Sequence, residues 1–291
     1  MTAAFSPSLL ALAVLALPAA AQETTLGRLL AESHVHGIAM DPGDPMRLIL
    51  ATHGGLYAAN LLSRRAEPLS DGTKDLMGFV PVPGEPGAFL ASGHPATGGN
   101  LGVVRSVDGG ATWEALSPGA NGPVDFHQMA ASLADPALVW GVQHGVVLQR
   151  SGDGGATWEA VGPAPAGVID LAASPTDPAT LYAATEAGLR VSRDGGASWE
   201  AAHPAAAPVS VVEAAPDGRI LAFVVGEGLL AATEPDLAWQ APGAWAEQGA
   251  PLHLAIDPAN PDRMVAATTD GRLLISATGG QTWSLVAGPG A

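Results

Sequence analysis

The sequence predicts an all-β fold: a ring of six blades, each a four-stranded antiparallel sheet. Three observations point there. First, SVDGGATWE from Ser106, SGDGGATWE from Ser151, SRDGGASWE from Ser192 and SATGGQTWS from Ser276 are variants of one pattern, S-x-D-G-G-x-[TS]-W. Their starts lie 45, 41 and 84 residues apart, the last being two periods of 42. A period of about 40 to 45 residues is what one four-stranded β-propeller blade requires. Second, short β-rich runs bounded by turn residues dominate, as in Leu48 to Ala51, Thr180 to Ala184 and Arg263 to Ala267, and no long stretch carries the 3.6-residue apolar period of a helix. Third, aligning these runs divides residues 33–291 into six units without remainder.

Before the ring, residues 1–21 are uncharged and hold an apolar run, Leu9 to Leu17, followed by Pro18 and three alanines. They read as a signal peptide cleaved before Gln22, which sends the protein out of the cytoplasm, to a bacterial periplasm. The run is shorter than the ~20 apolar residues of a membrane span, and no later segment is a candidate. Residues 22–32 form an N-terminal segment too short to be a seventh blade. The six units begin near His34, Asp75, Asp125, Val168, Val209 and Leu252. Most run apolar strand, turn (DPGDP, SPTDP, DPANP), second strand (LYAAT, MVAAT), a third strand into the box and a fourth leaving it. Unit one has no box. Unit five has lost most of its own but keeps Trp239, 40 residues after Trp199 and 44 before Trp283.

Composition bounds the function. With no cysteine there is neither a disulfide framework nor a thiolate metal site. A formal charge of −16 argues against nucleic acid and anionic bilayers, which need clustered Lys and Arg. It suits solubility, or attraction of cations or a basic partner.

The boxes resemble the Asp-box, or BNR, repeats of sialidase-like propellers. That resemblance covers blades two, three, four and six. It implies that each box is the turn between third and fourth strands and that its role is architectural. Ser106, Asp108 and Trp113, with Ser151, Asp153 and Trp158, then Ser192, Asp194 and Trp199, and finally Trp283, are expected to tie the turns and fill the space between blades. It also implies that the box turns and the turns between first and second strands share one face of the disc. The start of the first strand and the end of the second lie on the other.

In that frame six of the eight histidines fall into two registered sets on the non-box face. His36, Met77 and His127 occupy equivalent positions near the start of the innermost strand. His34 lies two residues earlier, where blades two and three carry Asp75 and Asp125. At the end of the second strand stand His53, His94 and His144, and Met129 is a further sulfur nearby. Blades four to six place Ile169, Ser210 and Leu252 at the first position and Glu186, Glu227 and Thr269 at the second. His203 and His253 belong to neither set. Imidazole is the commonest metal ligand; His with Met suits copper, and His with carboxylate suits zinc. The expectation is an exported propeller that binds a metal ion, copper first and zinc second, through axial-mouth histidines. Its role would be metal handling or delivery. The cluster read without a metal is a polar pocket for a small ligand.

Two other readings stay open. The opening SHVHGIAMDPGDPMRLILATHGGLYA is similar to exported BNR-type proteins commonly labelled glycosyl hydrolases. Asp75, Asp125, Asp170, Glu186 and Glu227 are possible ligand groups or, in a hydrolase, the available acids. Sialidase chemistry is not expected: the F/Y-R-I-P segment is missing, Tyr57 and Tyr182 lie away from the mouth, and Arg105, Arg150 and Arg190 run towards the box face. No serine sits in a G-x-S-x-G elbow. The loop GHPATGGNLG lacks the lysine of a phosphate-cradling loop and reads as a rim beside His94. The third reading is an assembly factor or interaction scaffold, similar to the photosystem-assembly propellers, with another exported protein as partner.

Overall fold

The computed structural model describes residues 23–70, 72–245 and 249–291. The expected signal peptide lies outside them. The described residues open with β1 (Thr24–Thr25) and the one helix among them, α1 (Leu26–Glu32). Blade one is β2 (Val35–Asp41), β3 (Asp44–Thr52), β4 (Gly55–Asn60) and β5 (Arg65–Pro68), and blade two β6 (Lys74–Pro81), β7 (Phe89–Pro95), β8 (Val103–Ser106) and β9 (Glu114–Ser117). Blade three is β10 (Phe126–Ala131), β11 (Val139–Gln143), β12 (Val147–Ser151) and β13 (Glu159–Pro163). Blade four is β14 (Val168–Ala173), β15 (Leu181–Thr185), β16 (Gly188–Ser192) and β17 (Glu200–Ala201). Blade five is β18 (Val209–Ala214), β19 (Arg219–Val224) and β20 (Gly228–Thr233); blade six is β21 (Pro251–Ile256), β22 (Met264–Thr268), β23 (Leu273–Ser276) and β24 (Ser284–Ala287). The molecule is a six-bladed β-propeller, each blade an antiparallel meander.

The blades keep the four-stranded plan with two departures. β1 pairs with β5 and gives blade one a fifth, outermost strand. In blade five, which has lost its box, the fourth strand shrinks to a single bridge between Ala231 and Gln240. The innermost strands β2, β6, β10, β14, β18 and β21 each touch the next, and β21 touches β2, so the ring is closed.

The box turns are built alike. Ser106 Oγ donates to Asp108 Oδ1 (2.8 Å) and accepts from the Gly110 amide (2.9 Å); Asp108 accepts from both the amide and the hydroxyl of Thr112 (2.9 and 2.6 Å). Asp153 with Thr157, and Asp194 with Ser198, repeat the pattern. These donors, the threonine or serine hydroxyl first, pull all three aspartates down to about 2. The Gly109, Gly154, Gly195 and Gly279 amides donate to Gly87, Ala137, Ala179 and Asp262 in the turns between first and second strands, so both kinds of turn share one face.

Each box tryptophan packs in the seam towards the preceding blade: Trp113 at seam one/two, Trp158 at two/three, Trp199 at three/four, and Trp283 at five/six. Trp239 does the same at four/five without a box. The seam between blades six and one has no such tryptophan. There α1 supplies Leu26 and Leu29, buried among Leu48, Leu50, Val265 and Val286. Ring closure, open in the sequence, is therefore sealed by α1 and not by exchange of a strand between first and last blades.

Candidate metal centre

The histidine sets stand where strand register placed them, and the ladders explain how. Val35 pairs with Thr52 and Gly37 with Ala51, so His36 is the extra residue of a β-bulge. His127 is the corresponding bulge residue between Phe126 and Gln128. A bulge re-aims a side chain and strengthens local twist. At the facing ends of the second strands, His53, His94 and His144 follow residues paired with Val35, Leu76 and Phe126.

Blade two departs from this plan. Its extra residue falls between Met77 and Val80, and Met77 pairs regularly with Ser92. Met77 is therefore not the structural equivalent of His36 and His127. The displaced bulge lets Gly78 adopt φ +54, where a Cβ would stand 2.4 Å from the Phe126 carbonyl. Met129 lies buried in the seam between blades two and three, its Cγ against Gly78, and belongs to neither histidine group. Glu227 also leaves the register. Val209 pairs with Val224, which makes Val225 the counterpart of His53, and Glu227 instead stands 3.6 Å from His203. The cause is a turn longer than the alignment of sequence runs assumes.

Two groups of three ligand atoms result, each with its atoms within 4.8 Å of one another: His36, His53 and Asp75, and His94, Asp125 and His127. Each spans a seam. His53 Nδ1 of blade one lies 2.6 Å from Asp75 Oδ2 of blade two and 3.1 Å from His36 Nε2. His94 Nε2 of blade two lies 2.9 Å from Asp125 Oδ2 of blade three, and His127 Nε2 reaches the same oxygen at 2.9 Å. The groups adjoin, because Asp75 and His94 are cross-strand partners in β6 and β7. Gly93 makes that pairing feasible: at φ +118, a Cβ there would stand 2.1 Å from the Asp75 carbonyl.

Electrostatics differ between the groups. Burial, above all, drives His36 down to about 4; the neighbouring histidines add to this, and Asp75 opposes it. His36 is neutral at pH 7, as a ligand must be. His127 is raised, chiefly by its hydrogen bond to Asp125. Burial alone would raise Asp125, but the hydrogen bond from His127 and the charges of His127, His94 and His144 outweigh it and hold the carboxylate low. Asp125 Oδ1 is buried and has no hydrogen-bond partner among the described residues. His94 Nδ1 donates to the Gly99 carbonyl (2.9 Å), so the GHPATGGNLG loop orients the ring and leaves Nε2 for the site.

The remaining candidates scatter. His34 stacks edge-on with His53, their centroids 5.5 Å apart, and is exposed at the rim. His144 is exposed in a positive-φ turn (φ 52) and acts on Asp125 through its charge. Glu186 packs over Gly167 in blade four. Asp170 accepts from the Leu171 and Val212 amides and is pushed up to about 7 by burial. His253 Nε2 bonds the Val35 carbonyl (3.0 Å), tying blade six to blade one. The tyrosine in blade four is structural: the Tyr182 hydroxyl donates to Glu234 (2.6 Å), while Arg105 and Arg150 pair with Glu85 and Glu159. The sequence offers Asp75 and Asp125 as possible ligand or acid groups; the signal that joins them to the histidines is that each stands one blade after a second-strand histidine.

No family model and no curated protein matches this sequence. Solved structures do. A GH74 enzyme of Niastella koreensis superposes with a TM-score of 0.63 at 16% identity, over 87% of this chain and 45% of its own. The GH74 xyloglucanase of Xanthomonas campestris gives 0.57 at 20% identity, over 91% and 46%. An oligogalacturonate lyase of Vibrio parahaemolyticus gives 0.59 at 12%, over 91% and 81%. The chain is a β-propeller. It spans under half the length of the GH74 enzymes it matches, and likeness at such identities extends to the fold alone.

Proposed function

We propose that the protein binds divalent metal ions at the mouth opposite the box turns, through His94–Asp125–His127 and His36–His53–Asp75, and serves in metal handling outside the cytoplasm. One observation carries the reading: two histidine Nε2 atoms converge on a single oxygen of a buried carboxylate whose other oxygen is unpartnered. Two imidazoles and a carboxylate make a three-protein-ligand set that leaves coordination positions for water or an acceptor. Nitrogen and oxygen donors suit zinc or copper(II), and the methionine argument for copper is weaker with Met129 buried in the seam and Met77 outside the bulge position of His36 and His127. The −16 charge concentrates cations at the surface. The histidine groups do not favour the glycoside hydrolase reading, since Asp125, held low between histidines, is a poor proton donor at neutral pH.

Metal analysis of the purified protein, with zinc and copper titrations of wild type and a His36→Ala/His127→Ala double variant, tests this. Stoichiometric uptake weakened at least tenfold in the double variant is expected. No uptake, or uptake unchanged in the variant, refutes it. Hydrolysis of chromogenic glycosides that survives chelation would instead favour the hydrolase, and a co-purifying exported partner the scaffold.

A further inference from the structure

The opposite, box-bearing end of the axis holds a cavity of about 380 Å³, within the range of small-molecule sites. It is lined by the innermost strands of all six blades and rimmed by prolines such as Pro42, Pro83, Pro216 and Pro258. Strand register explains the space. Four residues beyond Val35, Leu76, Phe126, Val168, Val209 and Pro251, each paired near the start of its innermost strand, stand Ala39, Val80, Ala130, Ala172, Glu213 and Ala255. All six line the cavity. Four alanines and a valine keep that ring open, and at the fifth blade a carboxylate enters it.

Glu213 is anomalous. Its carboxyl has no side-chain partner, and burial, with the nearby Asp170 charge second, raises it well above the ordinary range. No Lys, Arg or His lines the cavity, and the other ionisable lining residue, Glu85, is already paired with Arg105 at 2.6 Å. A carboxyl that faces an apolar chamber and meets only a backbone amide, that of Ala214, keeps acceptor capacity for a ligand. An apolar wall with one carboxyl facing into it suits an apolar body that carries one positive group.

We propose that the axial cavity on the box face binds a small apolar molecule carrying one primary ammonium group, paired with the Glu213 carboxylate. The bound state is an ammonium–carboxylate pair, any proton on the carboxyl passing to solvent, joined by a charge-assisted hydrogen bond. This site is independent of the histidine groups.

Isothermal titration of the full chain with benzylamine, benzyl alcohol and phenylacetate tests it. Wild type is expected to bind one benzylamine saturably, more than tenfold tighter than benzyl alcohol, and not to bind phenylacetate. Glu213→Gln and Glu213→Leu should each weaken benzylamine at least tenfold and leave benzyl alcohol within threefold, with thermal melts confirming folding. His36→Ala/His127→Ala should bind benzylamine as wild type does. An amine-to-alcohol ratio near one on wild type overturns the proposal whatever the variants do. So does benzylamine affinity unchanged in Glu213→Gln, or lost in the histidine variant.

Discussion

At the scale of single residues, a turn aspartate and a site aspartate show how partners decide chemistry. Asp108, Asp153 and Asp194 are drawn to about 2 by hydroxyl and amide donors of their own turns, so they stay ionised and structural at any ordinary pH. Because the folded value lies below the ordinary 3.8, their contribution to stability is present at neutral pH and is shed as pH falls from about 4 to about 2. The Asp108→Asn/Asp153→Asn/Asp194→Asn triple variant should therefore melt lower at pH 7 and lose less Tm than wild type on going from pH 4 to pH 2. An equal loss in both would refute this. The fourth box supplies a natural comparison: Thr278 replaces the aspartate and still accepts from the Thr282 amide at 3.0 Å, with no titrating group. Asp125 faces His94 and His127 from two blades instead of its own turn, and there the same residue type is placed for the proposed metal site.

At the scale of elements, α1 is the instructive piece. Seven residues are too few for a helix to be stable alone. Thr25 caps its first turn by accepting from the Arg28 amide, and the Leu26 amide donates to the Arg64 carbonyl. Its stability comes from burying Leu26 and Leu29 in the seam that lacks a tryptophan. Leu26→Ala should cost about 2–5 kcal/mol in denaturant unfolding. Leu62→Ala, at a side chain 76% exposed, should stay within about 0.5 kcal/mol. Equal effects would show that α1 does not seal the ring. The β-bulges act at the same scale. They turn His36 and His127 out of strict alternation, which strand periodicity alone cannot show.

For the whole molecule, the two ends of the disc differ in chemistry. The box face opens on an apolar axial chamber, and the opposite mouth carries histidines across the seams one/two and two/three. Each histidine–aspartate group joins two blades, so an ion held there ties blades together as well as being bound. Zinc at about a hundred times its dissociation constant should stabilise the fold by about 2.7 kcal/mol. That appears as a raised Tm, reversed by chelator and absent from the His36→Ala/His127→Ala variant. A Tm indifferent to zinc in wild type would count against the seam-bridging arrangement.

Much of this architecture was legible in the chain. The repeated Ser106, Ser151, Ser192 and Ser276 boxes carry period, blade number and facing in local sequence, because a turn's hydrogen bonds lie within a few residues of one another. Register brought His36 and His127, and His53, His94 and His144, to one face for the same reason. Other features depended on contacts between chain segments far apart. Whether Met77 shares the position of His36 hinges on where a bulge forms, and that is set by Gly78 packing against Phe126 and Met129 in the next blade. The union of His94 with Asp125, the sealing of blade six to blade one by Leu26, and the isolation of Glu213 among alanines all join residues from different blades. A repeat writes each blade's plan locally; which side chains meet at the seams and the axis is decided only when the ring closes.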